Sequence, residues 1–266
     1  MKKIFLFSAI LFLATHISAQ QPKVQGVLKE LFSGPATPQE RDAWLSEMKQ
    51  WRTEERNRLH FNDSEYLRPE TGWLKRTFIY VQMMAHDRYF YDPVAGKYTV
   101  NRYLDDLQKR YGGIDAVLIW PTYPNIGIDN RNQYDLLAAM PGGREGVRQM
   151  IIDFKKRGVR VFFPIMIWDH GTRRNDLSMP VALIKEMKEI GADGMNGDTM
   201  WGVTEDFRNA YDSLGYPVVL QPEVAIRMKD LKMVEWNQSS WGYYWNYTHA
   251  PGVSIYKWLE PRHQVF

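Results

Sequence analysis

The chain has 266 residues, no Cys, and a net charge of +3 from 34 basic and 31 acidic side chains. Without Cys there are no disulfides, no thiolate metal sites and no lipidated cysteine, so the fold must rest on its core alone. Basic and acidic residues are interspersed, which leaves no electrostatic footprint for nucleic acid; the ten Trp are more telling, because large aromatic rings both fill cores and line binding sites.

Residues 1–19 read as a secretory signal: Lys2 and Lys3, an apolar run over residues 4–14, and Ile17-Ser18-Ala19 as a cleavage site before Gln20. The run is too short to span a bilayer, and the competing reading is a buried N-terminal helix. A periplasmic or secreted protein with no integral membrane segment after cleavage is expected. Residues 20–76 read as an N-terminal arm and helix. Thr37-Pro38-Gln39-Glu40 starts that helix, with Thr as cap, Pro first, and Glu three residues past the cap. Trp44, Met48 and Trp51 give it one docking face, and it ends near His60.

From residue 77 strands and helices alternate. A first strand over residues 78–84 precedes a helix carrying Val100, Leu104, Leu107 and Tyr111, closed by Gly112-Gly113. A second strand, 116–120, leads through a long loop, 121–141, to a helix with Val147, Met150, Ile151 and Phe154 that Gly158 stops. The third strand, 159–168, is continuously apolar, as suits burial on both faces. Pro180 opens the next helix, with Leu183, Ile184, Met187 and Ile190 on one side. A fourth strand over 191–196, a helix with Phe207, Ala210, Tyr211 and Leu214, and a fifth strand over 217–220 follow. A short helix to about Val234 and the stretch Trp241-Gly242-Tyr243-Tyr244-Trp245 complete the pattern.

Successive βα units imply a parallel sheet with right-handed crossovers. An open doubly wound sheet would call for a G-x-G-x-x-G turn or a P-loop Lys, and neither occurs. The expected fold is therefore α/β, a (β/α) TIM-type barrel over residues 77–266. Six or seven strands can be counted where closure takes eight. The barrel is thus expected to be incomplete at its C-terminus, with an unusually short barrel as the alternative.

Barrel chemistry sits at the C-terminal ends of the strands. Gly191-Ala192-Asp193-Gly194-Met195-Asn196-Gly197-Asp198 ends a strand on a carboxylate, and Glu223 leaves the next strand through Gln221-Pro222. Two carboxyl groups on neighbouring strand ends fit glycoside cleavage: one protonates the leaving oxygen while the other attacks the anomeric carbon or activates water. Asp198 and Glu223 are the candidate catalytic pair. Their plainer readings are an N-cap for the next turn and a solvated acid at a helix start. Asp193 lies deeper and reads as a structural carboxylate. Candidate sugar-binding groups are His86, Asp87 and Arg88 after the first strand, Trp120 and Tyr123 after the second, Trp168, Asp169 and His170 after the third, and Trp201 after the fourth. Each alone also reads as packing or turn chemistry; their shared position at strand ends favours a site. No cofactor and no metal are assigned, although His86, Asp87, Asp169 and His170 would suit a divalent ion if they converged. A G-x-S-x-G elbow, an H-E-x-x-H helix and an EF-hand loop are absent.

Asp193-Gly194-Met195-Asn196-Gly197-Asp198, of the form D-G-x-x-x-D, resembles the fourth-strand motif of retaining α-glycosidase barrels, the alpha-amylase, alpha-glucosidase and alpha-galactosidase groups. The resemblance covers roughly residues 77–224 and implies that Asp198 is the nucleophile. Glu223 matches the placement of the alpha-amylase acid/base; the alpha-galactosidase acid/base, an Asp later in the barrel, has no clear counterpart. Asn196 stands where the alpha-amylase motif has Arg, Asp169-His170 stands in place of Asn-His, and apolar Ile165 stands near the position of a strand Asp. The reading is an exported glycoside hydrolase acting on oligo- or polysaccharides by retention. A non-catalytic carbohydrate-binding protein on a degenerate barrel and a metal-dependent hydrolase are the alternatives.

Overall fold

The computed structural model describes residues 31–121, 131–169, 176–223, 228–241 and 252–266. The signal segment, Tyr123, His170 and residues 242–245 lie outside them. The strands in chain order are β1 (Leu31–Ser33), β2 (Tyr80–Met84), β3 (Tyr91–Asp92), β4 (Lys97–Tyr98), β5 (Ala116–Trp120), β6 (Arg160–Met166), β7 (Gly194–Asp198), β8 (Val219–Pro222), β9 (Ser239–Ser240), β10 (Gly252–Ser254) and β11 (Gln264–Val265). The helices are α1 (Arg41–Leu59), α2 (Val100–Tyr111), α3 (Gln133–Ala138), α4 (Gly143–Lys156), α5 (Met179–Ile190), α6 (Glu205–Ser213) and α7 (Ile255–Leu259).

The five strands expected from sequence are β2, β5, β6, β7 and β8. They form one parallel sheet in that order, the arrangement that successive right-handed βα crossovers produce. Past β8 the chain forms a separate strand pair, bonded to β8 at a few points. Trp241 N–H donates to the Pro222 carbonyl at 3.3 Å, Leu220 N–H donates to Gln238 Oε1 at 3.2 Å, and β11 pairs in parallel with β9. Phe266, just after β11, stacks on Tyr80 of β2 with centroids 4.9 Å apart, and Gln264 Nε2 donates to the Leu74 carbonyl at 3.0 Å. The β9–β11 pair thus reaches back to the first strand of the five-stranded sheet through side chains, giving a partial (β/α) barrel.

Alternation sorts each strand's residues between two cores. Val117, Ile119, Val161, Phe163, Ile165, Met195 and Leu220 face the helices with Val147, Ile151, Phe154, Ile184 and Phe207. Ala116, Leu118, Trp120, Phe162, Met166 and Val219 form the interior with Leu74. Gly194, Asn196 and Asp198 therefore share the inner face of β7, and Gln221 follows Val219 on the inner face of β8, with Glu223 just past the strand's end. Glycine at 194 is needed because a Cβ there would lie 2.3 Å from the Phe162 ring. At 197 a Cβ would lie 2.5 Å from Met200 Sδ, so glycine there lets the turn after β7 fold tightly.

The N-terminal helix docks as its pattern predicts. A 3-10 turn at Pro38–Glu40 leads into α1, and left-handed His60 ends it. Met48, flanked by Trp44 and Trp51, packs on Phe32, Leu231, Val234, Ile255, Tyr256 and Leu259. β1 pairs antiparallel with β10. The segment before the barrel is thus bound to the segment that completes it.

Some boundaries differ from expectation. The third strand stops at Met166 because residues 167–168 form a turn. The fourth starts at Gly194 because Gly191, at φ 80°, caps α5, and the fifth runs on to Pro222. Tyr111 is exposed, and Tyr103 takes the buried position on α2. The long loop contains α3, capped by Asn132 and Asp135 in a reciprocal capping box.

Candidate active site

Register places the two acids side by side. Met166 is level with Asp198, and Gly197 with Pro222, so Asp198 and Glu223 occupy adjacent positions at the C-terminal ends of β7 and β8. Neighbouring strands lie about 4.8 Å apart. Glu223 N–H donates to the Gly197 carbonyl at 3.0 Å, and its carboxylate Oε2 accepts the Thr199 N–H at 2.5 Å. Thr199, directly after Asp198, has φ 58°. A β-branched residue in the left-handed region is a strained outlier of the sort found at functional turns. That strain points the amide at Glu223 and binds the two strand ends together.

Asp198 is only 4% exposed, yet it lies on the barrel's inner face rather than under the helices. Trp168 reaches it from the end of β6, its Nε1–H donating to Asp198 Oδ2 at 3.1 Å. The position of Trp168 is fixed in turn by Gln133 of α3. The Gln133 amide donates to the carbonyls of Met166 at 2.9 Å and Asp169 at 3.1 Å, and its Oε1 accepts from Met166 N–H at 3.0 Å. Beneath the acids, Asn196 Nδ2 donates to Gln221 Oε1 at 2.8 Å, and Gln221 Nε2 donates to Ser239 Oγ at 2.9 Å. This uncharged amide ladder joins β7, β8 and β9 under the two carboxylates. Neither Gln133, Thr199 nor the ladder was singled out by sequence. Only the Asn132…Asp135 spacing, a cap signature, was there to reveal α3.

The other expected residues do not all converge. Trp120 is corrected: it packs in the interior core at 2% exposure, because an inward residue of a strand buried on both faces is enclosed by its neighbours. Its ring is not an open stacking plate. Asp87 is also turned to other work. Its Oδ1 accepts from Tyr89 N–H at 2.7 Å and Phe90 N–H at 3.3 Å, and it lines an open recess of about 310 Å³ with Tyr89, Tyr103, Asp106 and Arg110. That recess lies against α2, and β2 is three strands from β7, roughly 14 Å at normal spacing. His86 and Arg88 are exposed in the same turn, and the Arg88 carbonyl accepts from Arg102. Trp168 stands beside Asp198, Asp169 closes the turn that carries it, and half-buried Trp201 follows Asp198 in the next loop. Among the described residues no group of three or more His, Asp or Glu is placed to hold a metal, and no helix is long and apolar enough to cross a membrane.

Asp193, at the other end of β7, is a structural carboxylate. Its Oδ1 pairs with Arg160 at 3.0 Å and Lys155 at 3.1 Å, and its Oδ2 accepts the Val161 N–H at 3.1 Å.

No protein-family model matches the chain, and neither does any curated protein. Solved structures do. An alpha-N-acetylgalactosaminidase (NagBb) from Bifidobacterium bifidum, in its Gal-NHAc-DNJ complex, is 14% identical with a TM-score of 0.53, over 82% of this chain and 46% of that one. A quadruple mutant of the same enzyme gives 15% identity and a TM-score of 0.53, over 82% and 47%. A noncanonic maltogenic alpha-amylase (AmyB) from Thermotoga neapolitana is 15% identical with a TM-score of 0.41, over 63% and 49%. The chain spans about half the length of these structures. The likeness is one of fold: the curved parallel sheet and its helices are similar to glycosidase barrels, at distant identity.

Proposed function

We propose that the chain is an exported glycoside hydrolase domain acting on the glycosidic bonds of oligo- or polysaccharides by retention. One observation carries the reading. Asp198 and Glu223 end adjacent parallel strands on the inner face of a barrel similar in fold to an alpha-N-acetylgalactosaminidase, and a backbone amide ties them together. In this mechanism Asp198 attacks the anomeric carbon and forms a covalent glycosyl-enzyme. Glu223 protonates the leaving oxygen and then activates water. On this reading Trp168, Asp169 and Trp201 line the sugar site. The apolar run and small-residue motif before Gln20 support export.

A second reading, sugar binding without cleavage, is favoured by the burial of Asp198. The two part on one experiment. Wild type and Asp198→Asn are assayed against aryl α- and β-glycosides, with sugar binding followed by calorimetry. The hydrolase reading expects turnover in wild type and a loss of at least ~10³-fold in the variant. Binding with no turnover of any glycoside would establish the second reading, and full activity of Asp198→Asn would remove the nucleophile.

A further inference from the structure

Trp168 keeps 43% of its surface exposed, so apolar burial alone does not account for its orientation. Its indole nitrogen, a donor and nothing else, is aimed at a single carboxylate oxygen, Asp198 Oδ2. The turn that presents the ring is clamped from a distant helix. Gln133, 7% exposed, spends both ends of its amide on Met166 and Asp169, which flank the turn, and Asp169 N–H closes it on the Met166 carbonyl at 3.1 Å. A buried side chain with three bonds to backbone more than thirty residues away in sequence is a built support.

We propose that Trp168 is a positioning residue for Asp198: its indole N–H fixes the direction of the carboxylate, and Gln133 holds the turn that makes this possible. An uncharged donor suits the task. It orients a carboxylate without neutralising it, whereas Arg160 and Lys155 place two positive charges on Asp193. It also favours the ionised over the protonated carboxyl, because only the anion accepts at that oxygen in full strength. Trp168 is thereby a hydrogen-bond donor to the protein in addition to any sugar contact of its exposed face. The kinetic consequence rests on the hydrolase reading; the geometric one does not.

The experiment has two arms. In the wild-type protein, the ¹⁵N–¹H indole resonance of Trp168 is followed through a pH titration alongside the side-chain carboxyl ¹³C of Asp198. The expected result is one shared midpoint, and an indole signal that stays flat while Asp198 titrates would overturn the proposal. In Trp168→Phe, which keeps a ring and loses the donor, the Asp198 carboxyl is expected to titrate about half a pH unit higher or more. If wild type cleaves an aryl glycoside, kcat in the variant should fall about tenfold with KM within a factor of three, and the acid limb of the pH profile should move up with the carboxyl. Gln133→Met should shift both in the same direction and by less. An unchanged carboxyl titration in Trp168→Phe overturns the positioning role whatever the activity. Absence of turnover in wild type counts against the hydrolase reading alone, because the two titrations still decide the role of Trp168.

Discussion

Asp193 and Asp198 bracket a single short strand, five residues apart in one motif, and their surroundings differ. Asp193 sits at the N-terminal end, where two cations and a backbone amide engage both of its oxygens. Asp198 sits at the C-terminal end, where an indole N–H reaches one oxygen and the neighbouring acid is bonded to the next peptide. Ion pairing at the first end fastens β6, α4 and β7 together. At the second end the polar contacts orient a carboxylate beside another. Two carboxylates of one motif thus meet different surroundings, and on the proposed function that difference separates a structural acid from a reacting one.

Exchanging the charge at each end tests that contrast with the largest expected effect. Asp198→Asn should lose at least ~10³-fold in kcat, roughly 4 kcal/mol of barrier, with an unfolding midpoint near that of wild type. Asp193→Asn should lower stability by about 2 kcal/mol, discounted from a fully buried pair because Arg160 and Lys155 are each about a third exposed. Its kcat per folded molecule should be unchanged. Denaturant titration and steady-state kinetics on both variants check the pair, and a stability loss at 198 or a kinetic loss at 193 would break the contrast.

Much of this arrangement was legible in sequence, for physical reasons that also mark its limits. The helix stripe of Val147, Met150, Ile151 and Phe154 is periodic because α4 buries one face, and it is found as expected. The carboxylate at 198 was legible because Gly194 and Gly197 are forced by close packing against Phe162 and Met200. Trp120 does point inward, but Ala116–Trp120 is buried along its whole length, and a continuously apolar strand gives no sign of how far its neighbours enclose an inward ring. Gln133 and Thr199 left no local signal. One acts across the fold on Met166, and the other matters through its backbone angle.

A buried group with neither pairing charge nor chemistry sharpens the contrast further. His263 is fully enclosed, its Nε2 at 2.9 Å from Ser240 Oγ and its Nδ1 at 3.1 Å from Tyr66 OH. Burial, helped by the Lys257 charge, depresses its pKa to about 3 from the ordinary 6.5. Between those values the unfolded chain binds a proton that the native protein refuses. Stability is therefore complete above pH 6.5 and declines as pH falls toward 3, by at most ~1.4 kcal/mol per pH unit. Other carboxylates titrate in the same range, so the measurement is the difference between wild type and His263→Gln, which cannot titrate. That difference should shrink or reverse in favour of Gln between pH 6.5 and 4.5, and a constant difference would remove His263 from the account.

The smallest expected effect concerns the peptide that joins the two acids. Thr199 pays for its left-handed backbone with roughly 1–2 kcal/mol. Glycine would adopt φ 58° freely but lose more entropy on folding, by about 0.5–1 kcal/mol. The balance predicts that Thr199→Gly is more stable than wild type by up to about 1 kcal/mol, read as a higher denaturant midpoint at unchanged slope. The bond to Glu223 comes from the backbone N–H, so the substitution leaves it in place, and kcat should fall only as far as glycine loosens the turn. Thr199→Ala retains the strain and the amide while removing only the hydroxyl and methyl, and should match wild type in both measurements. A destabilised Thr199→Gly beside a wild-type-like Thr199→Ala would mean that the turn is not strained, and the two strand ends would then owe their alignment to the sheet alone.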